Sequence, residues 1–184
     1  MRRLVITQNI TLDGSIEMLG DWFDPQGQAD MSDVLEEIGR QQRQSGALLV
    51  GRRTFEDMRG YWRDLQDDET GVSDHLNAVD KHVVSSTMTD PDWDRTEVVC
   101  GDVVEQVRSL KERDGKDIVL TGSIRLGHAM IAADLVDGYR LFVYPVVQGG
   151  GRRLFPEGFE LGGLELLETK AFVSGIALLR YGSR

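Results

Sequence analysis

Ala47-Leu48-Leu49-Val50-Gly51-Arg52-Arg53-Thr54-Phe55 reads as a buried strand that turns through a glycine into a helix opening with two guanidinium groups and a hydroxyl. A helix N-terminus presents unpaired backbone N–H groups and the positive end of the helix dipole, so it favours an anion. Arginine adds a planar fork that grips phosphate oxygens through two parallel hydrogen bonds. These cations stand in a chain whose formal net charge is -10. The helix dipole disfavours cations in a first turn by roughly a few tenths of a kcal/mol. Taken alone, Arg52 and Arg53 also fit solvated first-turn residues, so the rest of the chain has to decide.

At 184 residues the chain suits one domain spanning 1–184, long enough to bury a core. Its 31 Asp+Glu against 21 Lys+Arg argue against broad nucleic-acid binding, which needs a basic face. Cys100 is the only cysteine, which excludes an intrachain disulfide and suits the cytoplasm. It closes the apolar run Thr96-Glu97-Val98-Val99 and reads as a buried, inert thiol. Leu4-Val5-Ile6 breaks at Thr7-Gln8-Asn9, too short for a signal sequence, and no stretch approaches membrane-spanning length. His75, His82 and His128 show no ligand spacing with Cys100 or one another, so no metal site is expected.

Outward from the opening motif, strands and helices alternate. Arg3 to Thr11 reads as a strand closed by Asp13-Gly14, and the loop 20–28 carries Trp22 and Phe23 as exposed aromatics. Met31 to Gln44 has helical spacing, with Met31, Val34, Leu35 and Ile38 on one face. The arginine-bearing helix is expected to end at Gly60, and 72–79 to form a short helix. Lys81 to Ser85 and Thr96 to Cys100 read as strands, and Asp102-Val103-Val104-Glu105 as a capping box opening a helix. Asp117 to Thr121 is a strand, Gly122-Ser123 a turn, and Ile124, Leu126, Met130 and Ile131 mark a helix. Tyr139 to Val147 reads as a long strand whose Pro145 suggests an edge or bulge. Leu164 to Phe172 and Ile176 to Tyr181 form a hairpin about Ser174-Gly175. This order implies an α/β fold with a mostly parallel mixed sheet, helices on both faces and a C-terminal antiparallel hairpin.

Open α/β sheets bind ligands beyond the carboxyl ends of their strands. Three such ends carry glycine or hydroxyl groups: Gly51 to Thr54, Ser85-Ser86-Thr87, and Thr121-Gly122-Ser123. Singly, each fits an ordinary turn or cap. Together they fit a dinucleotide, with Gly122 and the helix after Ser123 against the pyrophosphate, the arginines near a 2′-phosphate, and Ser85 and Ser86 by the adenosine. The first strand lacks the G-x-G-x-x-G of a standard dehydrogenase.

Five stretches, in order, carry a resemblance: Thr11-Leu12-Asp13-Gly14; Gly51-Arg52-Arg53-Thr54-Phe55; Ser85-Ser86; Thr121-Gly122-Ser123; and Leu135-Val136-Asp137 with Pro145-Val146-Val147-Gln148-Gly149-Gly150-Gly151-Arg152-Arg153-Leu154-Phe155. The chain resembles the dihydrofolate-reductase-like family, a three-layer fold, and within it the branch of the riboflavin-biosynthesis C-terminal reductase domain and its stand-alone relatives. The resemblance implies NADPH held by Gly51, Arg52, Arg53 and Thr54, by Ser85 and Ser86, and by Thr121, Gly122, Ser123 and Ile124. Asn9 to Gly14 would lie beside the nicotinamide and substrate. It implies hydride transfer to a small nitrogen heterocycle or a ribosylaminopyrimidine-type, riboflavin-precursor-like substrate, and a homodimer.

Classical dihydrofolate reductases carry a carboxylate in the first helix. Counting back from Gly51 puts Leu35 there, and Glu36 takes that place only with a one-residue shift. Asp13, Glu36 and bound water are therefore the candidate proton sources; Asp13 also fits a turn residue bonding its own backbone. Glu17 and Glu37 read as solvated. Two rivals stay open: a true dihydrofolate reductase, and a non-catalytic nucleotide-binding or dimerisation protein.

Overall fold

The computed structural model describes residues 1–23 and 30–183, so positions 24–28 of the expected loop lie outside the described residues. The chain runs β1 (Leu4–Thr11), α1 (Ser32–Gln42), β2 (Ser45–Gly51), α2 (Arg52–Trp62), α3 (Val72–Ala78), β3 (Asp80–Val84), β4 (Thr96–Val99), α4 (Val103–Glu112), β5 (Asp117–Leu120), α5 (Ile124–Ala132), β6 (Gly138–Tyr144), β7 (Glu165–Ala171) and β8 (Ala177–Gly182). The strands make one eight-stranded sheet in the order β4-β3-β2-β5-β1-β6-β8-β7. Every pair from β4 to β6 is parallel, and β8 is antiparallel to both β6 and β7. The expected α/β class, mostly parallel sheet and closing hairpin are all present.

Alternation along the strands sorts the core into layers. Leu4, Ile6, Ala47, Leu49, Ile118, Leu120 and Leu141 face one side, against Val107 and Leu110 of α4 and Leu126 and Met130 of α5. Leu48, Val50 and Val83 face the other, against Phe55 of α2 and Leu76 of α3. Farther along that second face, Phe142 and Leu178 meet Val34 of α1. Right-handed crossovers dictate this split: β1 to β3 step one way across the sheet, and β4 to β6 step back.

A polar stripe crosses the second face between these apolar clusters. Thr7 pairs in register with Arg140, Arg140 with Arg180, and Arg180 with Glu168. Glu37, 2% exposed, pairs with Arg40 at 2.7 Å, and Arg40 reaches Glu168 at 3.0 Å. Glu37 is thus buried rather than solvated, because three residues after Val34 it lies on the same helix face.

Other local expectations change too. Gly60 does not stop α2, which continues to Trp62; an isolated glycine is tolerated inside a helix at a cost of about 1 kcal/mol. Pro145 lies beyond β6, a strand paired on both sides, so it ends an interior strand rather than marking an edge. Cys100 is exposed, because β4 is the sheet's outermost strand on that side. Asp102 does cap α4, accepting from the Glu105 N–H at 3.2 Å. Among the described residues no helix is long and apolar enough to cross a membrane.

Lys81 is fully buried on β3. Its Nζ donates to the Leu76 and Val79 carbonyls at 2.7 and 3.0 Å and lies 4.8 Å from the Trp93 ring centroid. Burial, reinforced by Arg95, pulls its pKa down to about 8. Between that value and the ordinary 10.5 the unfolded chain binds the extra proton, so stability rises with pH across the window and is lost again as pH falls through about 8. In urea titrations, the wild-type midpoint should therefore climb relative to Lys81→Met as pH is raised through this window. A difference independent of pH would refute the assignment.

Candidate active site at the strand carboxyl ends

α2 leaves β2 on one face and α5 leaves β5 on the other, while β2 and β5 are neighbours. A crevice opens at such a switch point. The turn that lines it is tied to the start of α2 from both sides. Gly51 N donates to Ser123 Oγ at 2.8 Å, and Ser123 N donates to Thr54 Oγ1 at 3.0 Å. Gly122 N donates to Oε1 of the buried Gln8 at 3.1 Å. Gly122 has φ +58°, and a Cβ there would lie 2.8 Å from Thr54 Cγ2, so the turn requires glycine on both counts.

These ties leave two helix starts open. Among the described residues neither α2 nor α5 has a side-chain cap or an acidic residue in its first turn, whereas α1, α3 and α4 carry Asp33, Asp74 and Glu105 there. Ser123, which taken singly also fits an ordinary cap, sits at φ +46° and turns its hydroxyl to Gly51 instead. Two unneutralised dipole ends thus meet at one crevice.

Beyond α2, a cleft of about 490 Å³ is lined by Arg52, Ser85, Ser86, Thr87, Cys100 and Gly101, among others. Arg52 and Arg53 are both exposed, and Arg52 pairs with Glu56 at 3.3 Å. Ser85 is buried, its Oγ accepting from the N–H groups of Thr87 and Met88 at 3.2 and 3.0 Å, while Ser86 is exposed. Thr121 and Ile124 flank the Gly122-Ser123 turn, both half-buried.

Asn9, Asp13 and Gly14 lie at the carboxyl end of β1, next to β5. Asp13 accepts from Thr11 Oγ1 at 2.6 Å, Gln148 N at 3.2 Å and Gly149 N at 2.8 Å. Led by the Thr11 hydroxyl, these donors lower its pKa to about 2. It therefore staples the loop after β6 and holds no proton near neutral pH. Glu36 is exposed and makes no hydrogen bond or ion pair among the described residues. Leu35 beside it is half-buried.

Three features escaped the sequence reading. Tyr144, opposite Thr11 in the β1–β6 register, meets Trp22 at 5.1 Å and Phe23 at 6.0 Å between ring centroids, both edge-on. Burial pushes the Tyr144 phenol up to about 12. Trp22 and Phe23, expected to be exposed, are half-buried by this cluster. Gln148 bonds the Trp22 indole, and Glu17, read as solvated, pairs with Arg152. Only the alternation of β6, which puts Tyr144 and Phe142 on one face, hinted at any of this. Among the described residues no group of three or more His, Cys, Asp or Glu is placed to hold a metal ion.

The protein YyaP of Bacillus subtilis (strain 168), itself uncharacterised, is 30% identical over 186 residues, covering 98% of this chain and 94% of YyaP. A candidate riboflavin biosynthesis protein from Shewanella sp. PV-4 has a TM-score of 0.71 at 19% identity, covering 99% of both chains. A Thermotoga maritima diaminohydroxyphosphoribosylaminopyrimidine deaminase/5-amino-6-(5-phosphoribosylamino)uracil reductase gives 0.68 at 16% identity, covering all of this chain (100%) and 57% of its own. At such identities the two solved structures establish the fold alone. Residues 2–178 match the family described as the RibD C-terminal domain, and the chain belongs to that family.

Proposed function

We propose that this protein is an NADPH-dependent reductase that transfers a hydride to a small nitrogen heterocycle or to a ribosylaminopyrimidine-type substrate, a 5-amino-6-(5-phosphoribosylamino)uracil reductase-like activity. The observation that carries this reading is the pair of uncapped, acid-free helix starts, α2 and α5, meeting beside Gly122. They fit a pyrophosphate. Neighbouring strands lie about 4.8 Å apart, so β3 to β1, three gaps, spans about 14 Å, a trough suited to an extended dinucleotide.

When bound, NADPH supplies the hydride. Arg52 and Arg53 would grip the 2′-phosphate, with Thr54 and Gly51 setting the start of α2. Ser85 and Ser86 would flank the adenosine, Thr121 to Ile124 the pyrophosphate, and Asn9 to Gly14 the reacting ring. Asp13 would fix the wall beside that ring rather than donate a proton. Glu36 would serve as a proton source only by way of water, since its side chain is exposed. The half-buried Leu35 at the place of the folate-anchoring carboxylate weighs against dihydrofolate as substrate. The protein is further proposed to act as a single reductase domain, in the cytoplasm, as a homodimer. Support for the dimer comes from Leu166 and Leu167, about half exposed at 52% and 48% on the edge strand β7.

Two experiments test the cofactor assignment. A charge-assisted hydrogen bond contributes about 1.5–3 kcal/mol, so Arg52→Ala should weaken NADPH by about 10- to 100-fold in calorimetric titration and leave NADH nearly unchanged. Equal loss for both cofactors would remove the 2′-phosphate contact. Because Cys100 is exposed in the adenosine cleft and is the only cysteine, saturating NADPH should slow its alkylation by a bulky maleimide at least several-fold. Alkylation at the same rate with and without NADPH would place the adenosine elsewhere.

A further inference from the structure

The loop after β6 holds one side chain that joins stretches far apart in sequence. Gln148 Nε2 donates to Ser15 Oγ at 2.9 Å, to the Glu17 carbonyl at 2.9 Å and to the Gly150 carbonyl at 3.0 Å. Its Oε1 accepts from Leu19 N at 3.1 Å and from Trp22 Nε1 at 2.7 Å. An amide has two hydrogens to donate and two lone pairs, so the oxygen is fully engaged and the two hydrogens are shared among three acceptors. The partners also fix which way the amide faces. Two carbonyl oxygens lie at the nitrogen, and an indole N–H, which can only donate, lies at the oxygen. The Gln148 backbone is held in turn by the Asp13 carboxylate, which fixes the point from which the side chain projects.

What Gln148 holds matters more than how it is held. Residues 18–23 contain no helix or strand, and the Trp22 indole N–H makes its only hydrogen bond among the described residues to this amide. That bond sets the indole edge-on to Tyr144 at 63° and to Phe23 at 65°, at the end of the trough where β1 and β6 finish. The same two segments expose Leu12, Met18, Leu19 and Val147, which gives this end of the trough an apolar rim. A cluster of aromatic rings with an apolar rim recognises a flat, weakly polar ring.

We propose that Gln148 is a specificity-determining positioning residue: by fixing the Trp22 indole against Tyr144, it builds the wall on which the planar heterocyclic substrate docks. The identity of that ligand rests on the reductase reading above; the placing of Trp22 does not.

The test uses the full chain and two variants. Gln148→Met keeps the length of the side chain and removes its polar bonds. Trp22→Phe keeps a ring and removes the indole, and by difference gives the contribution of Trp22 to near-ultraviolet circular dichroism apart from Trp62 and Trp93. In Gln148→Met most of that contribution should vanish while the far-ultraviolet spectrum stays. With 5,6-diaminouracil as the planar probe, the dissociation constant should rise by up to about tenfold in both variants, the scale of a lost aromatic contact. NADPH affinity should stay within about twofold, because Gln148 lies at the far end of the trough from Arg52. In turnover, KM for the pyrimidine should rise more than kcat falls. A Trp22 signal unchanged in Gln148→Met overturns the positioning role. A lost signal with unchanged probe affinity overturns the specificity role, as does wild type that binds NADPH and ignores the probe. Should Gln148→Met fail to fold, Trp22→Phe alone decides whether the wall binds the ring. Wild type that binds no NADPH overturns the reductase reading instead, and the circular dichroism still decides the placing of Trp22.

Discussion

Two hydrogen bonds between backbone and hydroxyl, Gly51 N to Ser123 Oγ and Ser123 N to Thr54 Oγ1, hold together the strand ends at which the cofactor is proposed to bind. They bind the start of α2 to the start of α5 across neighbouring strands whose helices depart to opposite faces. The Ser123 hydroxyl, which from its N-cap position would normally cap α5, and the Thr54 hydroxyl in the first turn of α2 each bond the other element instead. The first-turn N–H groups are therefore left facing the crevice, where an anion can satisfy them. The left-handed backbone of Ser123, rare for a residue with a Cβ, is the conformational cost of that exchange. Two hydrogen bonds, each contributing about 1 kcal/mol net, are of the right size to offset it.

The same economy of side chains operates at the other end of the trough. Asp13 looks like a catalytic acid in sequence, yet its oxygens hold two backbone N–H groups and a hydroxyl. A carboxylate used this way is a structural anion, and its low pKa follows from the donors rather than from any charge nearby. Through Gln148 the constraint passes to Trp22, so a turn residue after β1 and a loop residue after β6 together decide where an aromatic ring stands. Gly151, whose Cβ would lie 2.5 Å from Ser15 Oγ, is the glycine of the Gly149-Gly150-Gly151 run that this closeness requires.

How much of this was legible in sequence depended on distance along the chain. Apolar alternation and the glycine-to-helix motif at Val50-Gly51-Arg52 located the strands and their carboxyl ends, because both are local patterns with a fixed period. The three strand ends could be gathered into one site because a parallel sheet aligns them whatever its strand order. Glu37, Trp22 and Gln148 were not readable in the same way. Glu37 looks like any helical glutamate until Arg40 and Glu168 are seen to surround it. Gln148 looks like loop polarity until partners up to 133 residues away are placed around its amide. Cys100 failed for a related reason: an apolar run predicts burial only when a further strand covers its edge, and among the described residues β4 has none on its outer side.

The acidic chain is compatible with the proposed anion site because no acid stands in the two first turns that meet there. Asp33, Asp74 and Glu105 stand in the first turns of α1, α3 and α4, where they neutralise the dipoles, and no acidic residue stands in the first turn of α2 or α5. Among the described residues the one carboxylate that touches the arginine pair, Glu56, lies four residues on from Arg52, and both partners are substantially exposed at 39% and 53%. An exposed pair of this kind contributes about 0.3–0.5 kcal/mol. A bidentate phosphate contact to the same guanidinium is several times stronger. Glu56 can therefore hold Arg52 near the cleft without competing seriously for it. A stronger partner would make the arginine structural, as Asp117 does for the buried Arg140 at 2.6 Å. Weak pairing at the surface is thus what keeps Arg52 available to a ligand.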